Sequence, residues 1–307
     1  MYAAIESENI RKNYGHICAL ENITIQVAPG DIFGFLGPNG AGKSTFVKIL
    51  LDLIPASAGC ARLFGRDTRE AVSRKAVGFL PENIHAYRFL TVEEFLMFHA
   101  ALAEIPRTER TREIQLCLER TGIPEQKKTR LGALSKGLLQ RTCIAQAVLG
   151  YPRLLLLDEP TSGLDPIGIR DLRSLLIEMK KNGTTILLNS HLLSEVERTC
   201  DRIMILNKGR ILKSGTQSDL SEKGRHLELV VDGFTDTMER EIHALSTKPV
   251  EKNGSRLLVY PCSEESSAAI HSIIEKQGGR LMSLAWKGES LEELFYRLVK
   301  DENMGDS

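Results

Sequence analysis

The chain has no excess of charge of either sign, since 40 lysine and arginine residues balance 40 aspartates and glutamates among its 307 residues. Without a net field, nothing in the composition recruits nucleic acid or an anionic membrane surface. No uninterrupted apolar run approaches the roughly 20 residues that cross a bilayer. Glu6 and Glu8, with no apolar stretch beside them, argue against a secretory signal. We therefore expect a chain that neither crosses a membrane nor binds nucleic acid.

Paired cysteines are absent as well. The six cysteines form no C-x-x-C pair and no metal-ligand spacing; they are Cys18, Cys60, Cys117, Cys143, Cys200 and Cys262. We expect reduced, mostly buried thiols in a cytosolic protein, because disulfides and zinc sites both need cysteines at suitable spacing. The length indicates about two domains and is sufficient for a real hydrophobic core.

Against these absences stands the segment GPNGAGKST, between the apolar runs DIFGFL and FVKILL. Its glycines lack Cβ atoms, so the backbone N–H groups of the loop can turn inward around an anion at a helix N-terminus. Lys43 adds a full charge for the terminal phosphates, and Ser44 offers a hydroxyl oxygen to Mg²⁺. The segment fits the Walker A pattern G-x-x-x-x-G-K-[ST] between strand and helix. The predicted phosphate-binding residues are Gly37, Pro38, Asn39, Gly40, Ala41, Gly42, Lys43, Ser44 and Thr45.

Strands and helices alternate along the first two thirds of the chain. The apolar segments at 31–37, 153–160 and 184–191 predict buried strands of a parallel sheet. Ser44–Leu53 and 170–183 predict helices, the first closed by a proline and the second stopped by a glycine. A phosphate loop at the carboxyl end of a strand, within this alternation, predicts a doubly wound α/β sheet.

The interval from Thr91 to about Leu149 is helical in pattern. Its first helix begins with Thr91 as N-cap and Glu94 at the capping-box position. Further on, two short strands predict a hairpin that turns at Asn207–Gly209.

The composition shifts at residues 213–224, and the remainder predicts a small βαβαβα domain. We place Trp286 in its core, and Ser290 and Glu293 form a capping box for its last helix. No catalytic constellation is visible there. Three histidines of this region are interpreted as surface or half-buried residues rather than ligands: His226, His243 and His271.

Two adjacent acids follow the four-leucine run at about 110 residues beyond the glycine-rich loop. Asp158 and Glu159 end a strand of the same sheet, which suits Asp158 to holding Mg²⁺ and Glu159 to polarising an attacking water. A GTPase would need an N-K-x-D base reader, and the segment NKGR at 207–210 lacks the aspartate.

A second anion site is predicted upstream, where LSKGLLQR (Leu134–Arg141) opens a helix. Ser135 is interpreted as the N-cap, and a cap hydroxyl, the nearby Gly137 and a helix N-terminus together suit an anion. One nucleotide cannot easily use both sites within one subunit. A head-to-tail pair of subunits would place this helix end over the partner's γ-phosphate.

The order and spacing of these motifs resemble the ATP-binding cassette family, over about residues 3–220. The chain has its Walker A loop, a signature at LSKGLLQR, Walker B at LLLLDEP, the D-loop SGLD and the switch histidine in NSH. The resemblance implies that Tyr14 stacks on adenine and that His191 contacts the γ-phosphate. More closely, the chain resembles ATPase subunits of bacterial exporters whose membrane subunits are separately encoded.

Two departures from the family pattern stand out. Lys136 and Leu138 replace a glycine and the glutamine of the signature. At the family's Q-loop position stands Glu82, in FLPEN; its carboxylate can reach Mg²⁺ or water but cannot donate a hydrogen bond at neutral pH. We therefore predict Ser44, Asp158 and Glu82 around the metal, and Lys43, Glu159 and His191 as the catalytic residues.

The resemblance implies a P-loop NTPase core at residues 1–220, with an antiparallel β subdomain and a helical subdomain at about 85–150, followed by a small α+β domain at 221–307. It implies ATP and Mg²⁺, a homodimer or cassette heterodimer, and integral membrane permease subunits that hold the chain at the inner face of the cell membrane. Soluble cassette proteins of DNA repair and of translation remain alternatives, as does a stand-alone ATPase. The first usually carry a long coiled coil and the second two cassettes, and neither feature is visible here.

Overall fold

The computed structural model describes residues 2–83, 86–221, 226–261, 266–287 and 290–305. The chain forms two compact units, Met1–Gln217 and Ser218–Ser307. No helix in these described ranges is long and apolar enough to cross a membrane. Cys262, one of the predicted free thiols, lies outside the described residues. The other five cysteines are free, and three of them are buried.

Among its described residues the first unit has ten strands: β1 (Ile5–Tyr14), β2 (Ile17–Val27), β3 (Ile32–Leu36), β4 (Ala58–Leu63), β5 (Arg66–Asp67), β6 (Val77–Leu80), β7 (Leu154–Asp158), β8 (Thr185–Asn189), β9 (Arg202–Asn207) and β10 (Arg210–Thr216). Its helices are α1 (Lys43–Leu50), α2 (Val92–Leu102), α3 (Arg107–Arg120), α4 (Lys136–Ala147), α5 (Pro166–Lys181) and α6 (Leu193–Thr199). A short helix, α7 (Gln217–Ser221), follows β10.

The strands of the first unit form two sheets. One is antiparallel, in the order β2-β1-β4-β5. The other has six strands in the order β10-β9-β3-β8-β7-β6, parallel except for the edge strand β10. Every residue of β3, β7 and β8 is buried, as expected for strands covered on both faces. The predicted α/β fold class is confirmed.

Helix α1 joins the cores of the two sheets. Phe46 of α1 is buried in one cluster with Leu20 and Leu63 of the antiparallel sheet and with Phe35 and Leu156 of the parallel sheet. The rings of Phe35 and Phe46 lie 5.4 Å apart. Burying aromatic side chains of this size contributes about 2–3 kcal/mol each. The loop that precedes α1 is therefore anchored at both ends by packed hydrophobic structure.

Local sequence signals predicted several helix ends and failed at others, since the helix predicted at 170–183 begins at Pro166. The capping box of α2 is confirmed, because Thr91 and Glu94 exchange side-chain and backbone hydrogen bonds. The predicted end of the first helix at Leu53 is wrong, since α1 ends at Leu50 and Asp52 adopts a left-handed φ of 54°. The proline and small residues downstream indicate only the latest position at which the helix can end. The helix ends before that position, in the turn that leads to β4.

The second unit comprises β11 (His226–Asp232), α8 (Asp236–His243), β12 (Glu251–Asn253), β13 (Arg256–Val259), α9 (Ser266–Lys276), β14 (Arg280–Lys287) and α10 (Leu291–Gly305). The strands are antiparallel in the order β12-β13-β11-β14. The predicted βαβαβα series is present with one additional strand, β12, whose three exposed polar residues carry no strand pattern. Trp286 packs against the core of this unit, and the Ser290–Glu293 capping box forms.

Candidate nucleotide-binding site

A cavity of about 290 Å³ lies over the glycine-rich loop at the carboxyl end of β3. Its wall is formed by Asn39–Thr45 and Ala19, together with Glu82, Asp158 and Glu159. The structure thus brings together four segments that are separated in the sequence. Six predicted site residues do not line it: Tyr14, Gly37, Pro38, Ser135, Gly137 and His191.

The glycines of the loop meet distinct steric requirements. Gly42 is the N-cap of α1 with φ of 106°, and a Cβ there would lie 2.5 Å from the carbonyl oxygen of Ala19. A Cβ on Gly37 would lie 2.4 Å from the carbonyl oxygen of Leu206. Gly40 has φ of 81° and open space around it, so backbone conformation alone favours glycine there. The loop is consequently a tight backbone turn that presents the N-terminus of α1 to the cavity.

Lys43 lies inside this turn and is only 7% exposed. Its Nζ donates to the carbonyl oxygens of Gly37 at 2.7 Å and Pro38 at 3.2 Å. Burial lowers the pKa of Lys43, and the carboxylates of Glu159, Asp158 and Glu82 act in the opposite direction. The ammonium group is therefore held next to the loop by its own backbone and faces the acids across the cavity.

Glu159 directly follows β7 in a left-handed backbone conformation, with φ of 51°. Its side chain is largely buried, and burial raises the pKa of the carboxyl group, while His191 and Lys43 lower it. Oε2 of Glu159 lies 2.6 Å from Nδ1 of His191, an exposed residue beyond β8. His191 thus reaches the cavity indirectly, through the carboxylate that it contacts.

Asp158 has a partner that the sequence interpretation did not include. Nδ2 of Asn189 donates to Oδ1 of Asp158 at 2.8 Å, and both side chains are buried. Asn189 lies two residues before His191 in the segment NSH. A polar residue at the end of an otherwise apolar strand was a signal that could have pointed to it.

The donor atoms around the cavity are suited to a magnesium ion. Ser44, Glu82, Asp158 and Glu159 offer only oxygen, the ligand that Mg²⁺ prefers. Across the described residues, no group of three or more His, Cys, Asp or Glu side chains could hold a metal ion unaided. Mg²⁺ commonly takes one or two carboxylates together with substrate phosphates and waters. The residues therefore fit a metal that arrives with a nucleotide.

The second predicted anion site lies at the start of α4. Ser135 is its N-cap, with Oγ accepting from the backbone N–H of Leu138 at 3.3 Å, and it is exposed. A Cβ on Gly137 would lie 3.0 Å from the carbonyl oxygen of Gly163. The aliphatic part of the Lys136 side chain in turn occupies the space that a Cβ on Gly163 would need. The helix start therefore packs against the turn that follows Glu159.

A buried amide strengthens this connection. Gln140 of α4 is buried and donates from Nε2 to the carbonyl oxygen of Pro160 at 2.9 Å. Pro160 is the residue next to Glu159, so α4 is bonded to the backbone that carries the predicted base. The sequence interpretation quoted Gln140 in its motif without assigning it this contact.

Tyr14 ends β1 as an exposed side chain, 48% accessible. Nζ of Lys12 lies 5.1 Å from the centre of its ring, within the range of a cation–π contact. The ring lies outside the wall of the phosphate cavity, so its stacking on adenine stays a prediction.

The parallel sheet, the glycine-rich loop and the facing acids define a P-loop nucleotide-binding protein. The ABC transporter family matches residues 20–162. An ABC transporter ATP-binding protein of Synechocystis is 36% identical over 291 residues, 94% of this chain and 80% of that protein. The bacitracin transport ATP-binding protein BcrA of Bacillus licheniformis is 30% identical over 99% of this chain and 100% of its own length. The linearmycin resistance ATP-binding protein LnrL of Bacillus subtilis is 30% identical over 96% and 98%, respectively.

Solved structures agree with these relatives. The ATP-binding subunit of an ABC transporter superposes with a TM-score of 0.68 at 31% identity, over 72% of this chain and 92% of that one. A dimeric ABC transporter cassette, at 24% identity, shows the same fold with a TM-score of 0.65 over 69% of this chain and 98% of that one. The chain belongs to the ABC transporter ATP-binding proteins. It is the ATP-binding subunit of an ABC transporter, and it is an ATPase.

Proposed function

We propose that this ATPase drives an exporter, and that it works as a head-to-tail dimer that closes on ATP. The observation that carries the proposal is the exposed, Ser135-capped start of α4, which does not line the cavity of its own chain. Because a helix N-terminus favours a negative charge, this surface suits the γ-phosphate of an ATP bound to a second subunit. Each chain has two half-sites, the Lys43 loop and the start of α4. In the dimer, the loop of one subunit and the helix start of the other form a complete site, so the dimer has two.

The residues of the chain divide the chemistry between them. Lys43 and the loop backbone bind the phosphates and stabilise the charge that develops on them. Glu159 takes a proton from the attacking water, and its contact with His191 lowers the pKa of the carboxyl group against the larger effect of burial. Magnesium, when bound with the nucleotide, would neutralise phosphate charge, held by Ser44 and Asp158 with Glu82 nearby.

The contacts of α4 couple this site to its dimer partner. A phosphate captured at Ser135 would pull on a helix that Gln140 bonds to the backbone next to Glu159. Capture of the partner's nucleotide would thereby be coupled to the base that serves the chain's own nucleotide. Tyr14 supports the adenine ring by stacking.

Export is supported by the relatives, one named for bacitracin transport and one for resistance to linearmycin, which match this chain over nearly its whole length. Resistance to a compound is commonly achieved by removing it from the cell. The chain would then act at the inner face of the membrane, bound to separate permease subunits, as a homodimer or with a second cassette. The second unit would serve as an accessory domain of this subunit.

Mixing two disabled variants tests the trans arrangement. Lys43→Ala disables the phosphate loop, and Ser135→Arg blocks the helix start, so each variant alone should hydrolyse almost no ATP. In a heterodimer one site carries both lesions and the other carries neither. We expect hydrolysis in the mixture to exceed the sum of the separate variants, although a disabled neighbour can limit the recovery.

Ser174→Arg is the matched control, since Ser174 is an exposed serine on α5 away from the site. This variant should keep the activity of the unmodified chain. Dimer formation in the mixture is followed by size-exclusion chromatography with Mg²⁺ and ATP. A mixture that forms dimers and shows no activity above its components would contradict the proposal.

A further inference from the structure

Asn189 is the last residue of β8 and lies beside Asp158 in the ladder between β7 and β8. It is fully buried, whereas the other four residues of its strand are a threonine, an isoleucine and two leucines. A primary amide is costly to bury unless its hydrogen bonds are formed. Its position beside Asp158, which lines the cavity, therefore calls for a physical reason.

Two contacts of Asn189 reach both acids. Its Nδ2 donates to Oδ1 of Asp158 at 2.8 Å, and its backbone oxygen accepts from the N–H of Glu159 at 2.9 Å. The amide nitrogen must face Asp158, because the amide oxygen in that position would bring two acceptors together. The side-chain contact occupies one carboxylate oxygen and fixes the plane of the group.

The rest of the amide is not satisfied. Oδ1 of Asn189 is buried and has no hydrogen-bond partner within the described part of the chain. An unpaired buried acceptor opposes folding, so the residue is not explained as a stabiliser of the sheet. The contact with Asp158 is the feature that an apolar residue of the same size could not replace.

We propose that Asn189 is a positioning residue for the magnesium site: its amide orients Asp158 so that the second carboxylate oxygen faces the cavity. Residues that hydrogen-bond a metal ligand fix its orientation, and their loss typically weakens metal binding about 10–100-fold. The inference rests on the proposed role of Asp158 as a metal ligand. The bond from the Asn189 backbone to Glu159 is independent of the side chain, so substitution should affect the metal first.

The experiment measures binding of the ATP analogue AMP-PNP at equilibrium, once with Mg²⁺ and once with EDTA. The dissociation constant in EDTA divided by that in Mg²⁺ measures how much the metal strengthens nucleotide binding, and no hydrolysis is involved. Asn189→Leu preserves approximate size and removes the donor. We expect it to reduce this ratio about tenfold, with the dissociation constant in EDTA unchanged within about twofold.

Asn189→Ser is the second variant, because its hydroxyl is too short to replace the amide yet leaves the strand polar. Thr185→Val is the matched control: Thr185 is equally buried on β8 and accepts a hydrogen bond from Gly30, away from the acids. This control should lose some thermal stability and keep the magnesium ratio of the unmodified chain.

Asp158→Asn separates the two levels of the proposal. If Asp158→Asn leaves the ratio unchanged, the metal role of Asp158 is wrong, and the role of Asn189 is wrong with it. If Asp158→Asn makes the two dissociation constants equal, while both Asn189 variants keep the ratio of the unmodified chain, only the positioning role is overturned. Failure of both Asn189 variants to fold would also overturn it, because a structural role would then be sufficient.

Discussion

Both units of the chain combine β-sheets with helices, but the parallel sheet of the first unit and the antiparallel sheet of the second differ in where their strands end. In the first unit, β3, β7 and β8 run parallel, so their carboxyl ends lie at one edge of the sheet. At that edge lie the glycine-rich loop after β3, the two acids at the end of β7, and Asn189 at the end of β8. In the second unit the strands are antiparallel, and β11 buries Leu227, Leu229 and Val231 from alternate positions.

The difference follows from strand direction. Parallel strands bring all their carboxyl ends, and the helix N-termini that follow, to the same edge of the sheet. Antiparallel neighbours place them at opposite edges, so polar groups at strand ends are dispersed. The first unit therefore concentrates chemistry at one edge, while the second is built for packing. Substitutions in the two units should consequently change different quantities.

The largest expected effect on hydrolysis is that of Lys43→Ala. Loss of the ammonium group inside the loop should lower ATP turnover about 10³-fold and weaken nucleotide binding, because phosphate charge is then left unbalanced. Steady-state phosphate release measures the first effect and equilibrium binding the second. Lys48→Ala, an exposed position on the same helix, should behave like the unmodified chain. Unmodified turnover in Lys43→Ala would refute this assignment.

Glu159→Gln should reduce turnover about 10²-fold while ATP still binds, since the amide retains the shape and loses the base. Closed dimers should then accumulate with Mg²⁺ and ATP and elute early in size-exclusion chromatography. Glu109→Gln, at an exposed site on α3, is the control. A persistent monomer with normal turnover would remove Glu159 from the mechanism.

His191→Ala should move the acid limb of the pH–rate profile to higher pH. Burial raises the pKa of Glu159 and His191 lowers it, so removing the histidine raises the pKa further. A base must be ionised to act, so activity is lost as the pH falls. In the variant this loss should begin at a higher pH than in the unmodified chain. We expect about a tenfold deficit at the acid side, in addition to any loss of phosphate contact. His271→Ala, in the second unit, should leave the profile unchanged.

Glu82 gives a finer test at the edge of the same cavity. Glu82→Gln should retain activity within about threefold, because the amide oxygen can still serve as a ligand. Glu82→Ala should lower hydrolysis and its coupling to the membrane partner. Both are measured as ATP turnover, with and without co-purified membrane subunits. Equal, unmodified activity in both variants would show that the residue belongs only to the loop.

Leu229→Ala should have the smallest effect on hydrolysis and a large one on folding. Truncating this fully buried side chain costs about 2–5 kcal/mol of stability in the second unit. If the units are as distinct as their strand arrangements, turnover should stay within about twofold at a temperature where both are folded. Met282→Ala, exposed on β14, is the control for both measurements. A matching loss of turnover would show that the second unit takes part in catalysis.

The sequence by itself determined the α/β fold, the phosphate loop and the pair of acids. These features follow from local rules: glycine at positions that exclude a Cβ, a lysine at the helix start, and apolar runs whose burial dictates parallel strands. The N-caps at Thr91 and Ser135 were predictable for the same reason, because a cap bonds to the backbone three residues further on.

Only the tertiary structure decided which distant groups meet. The bond from Asn189 to Asp158 spans 31 residues and that from Gln140 to Pro160 spans 20, and neither has a sequence pattern that fixes its partner. The early end of α1 and the short strand β12 likewise depend on the path of the chain in the folded structure, because no local sequence pattern predicts either. Backbone periodicity indicates which face of an element is buried, whereas a hydrogen bond between side chains depends on the register of neighbouring elements, which packing alone determines.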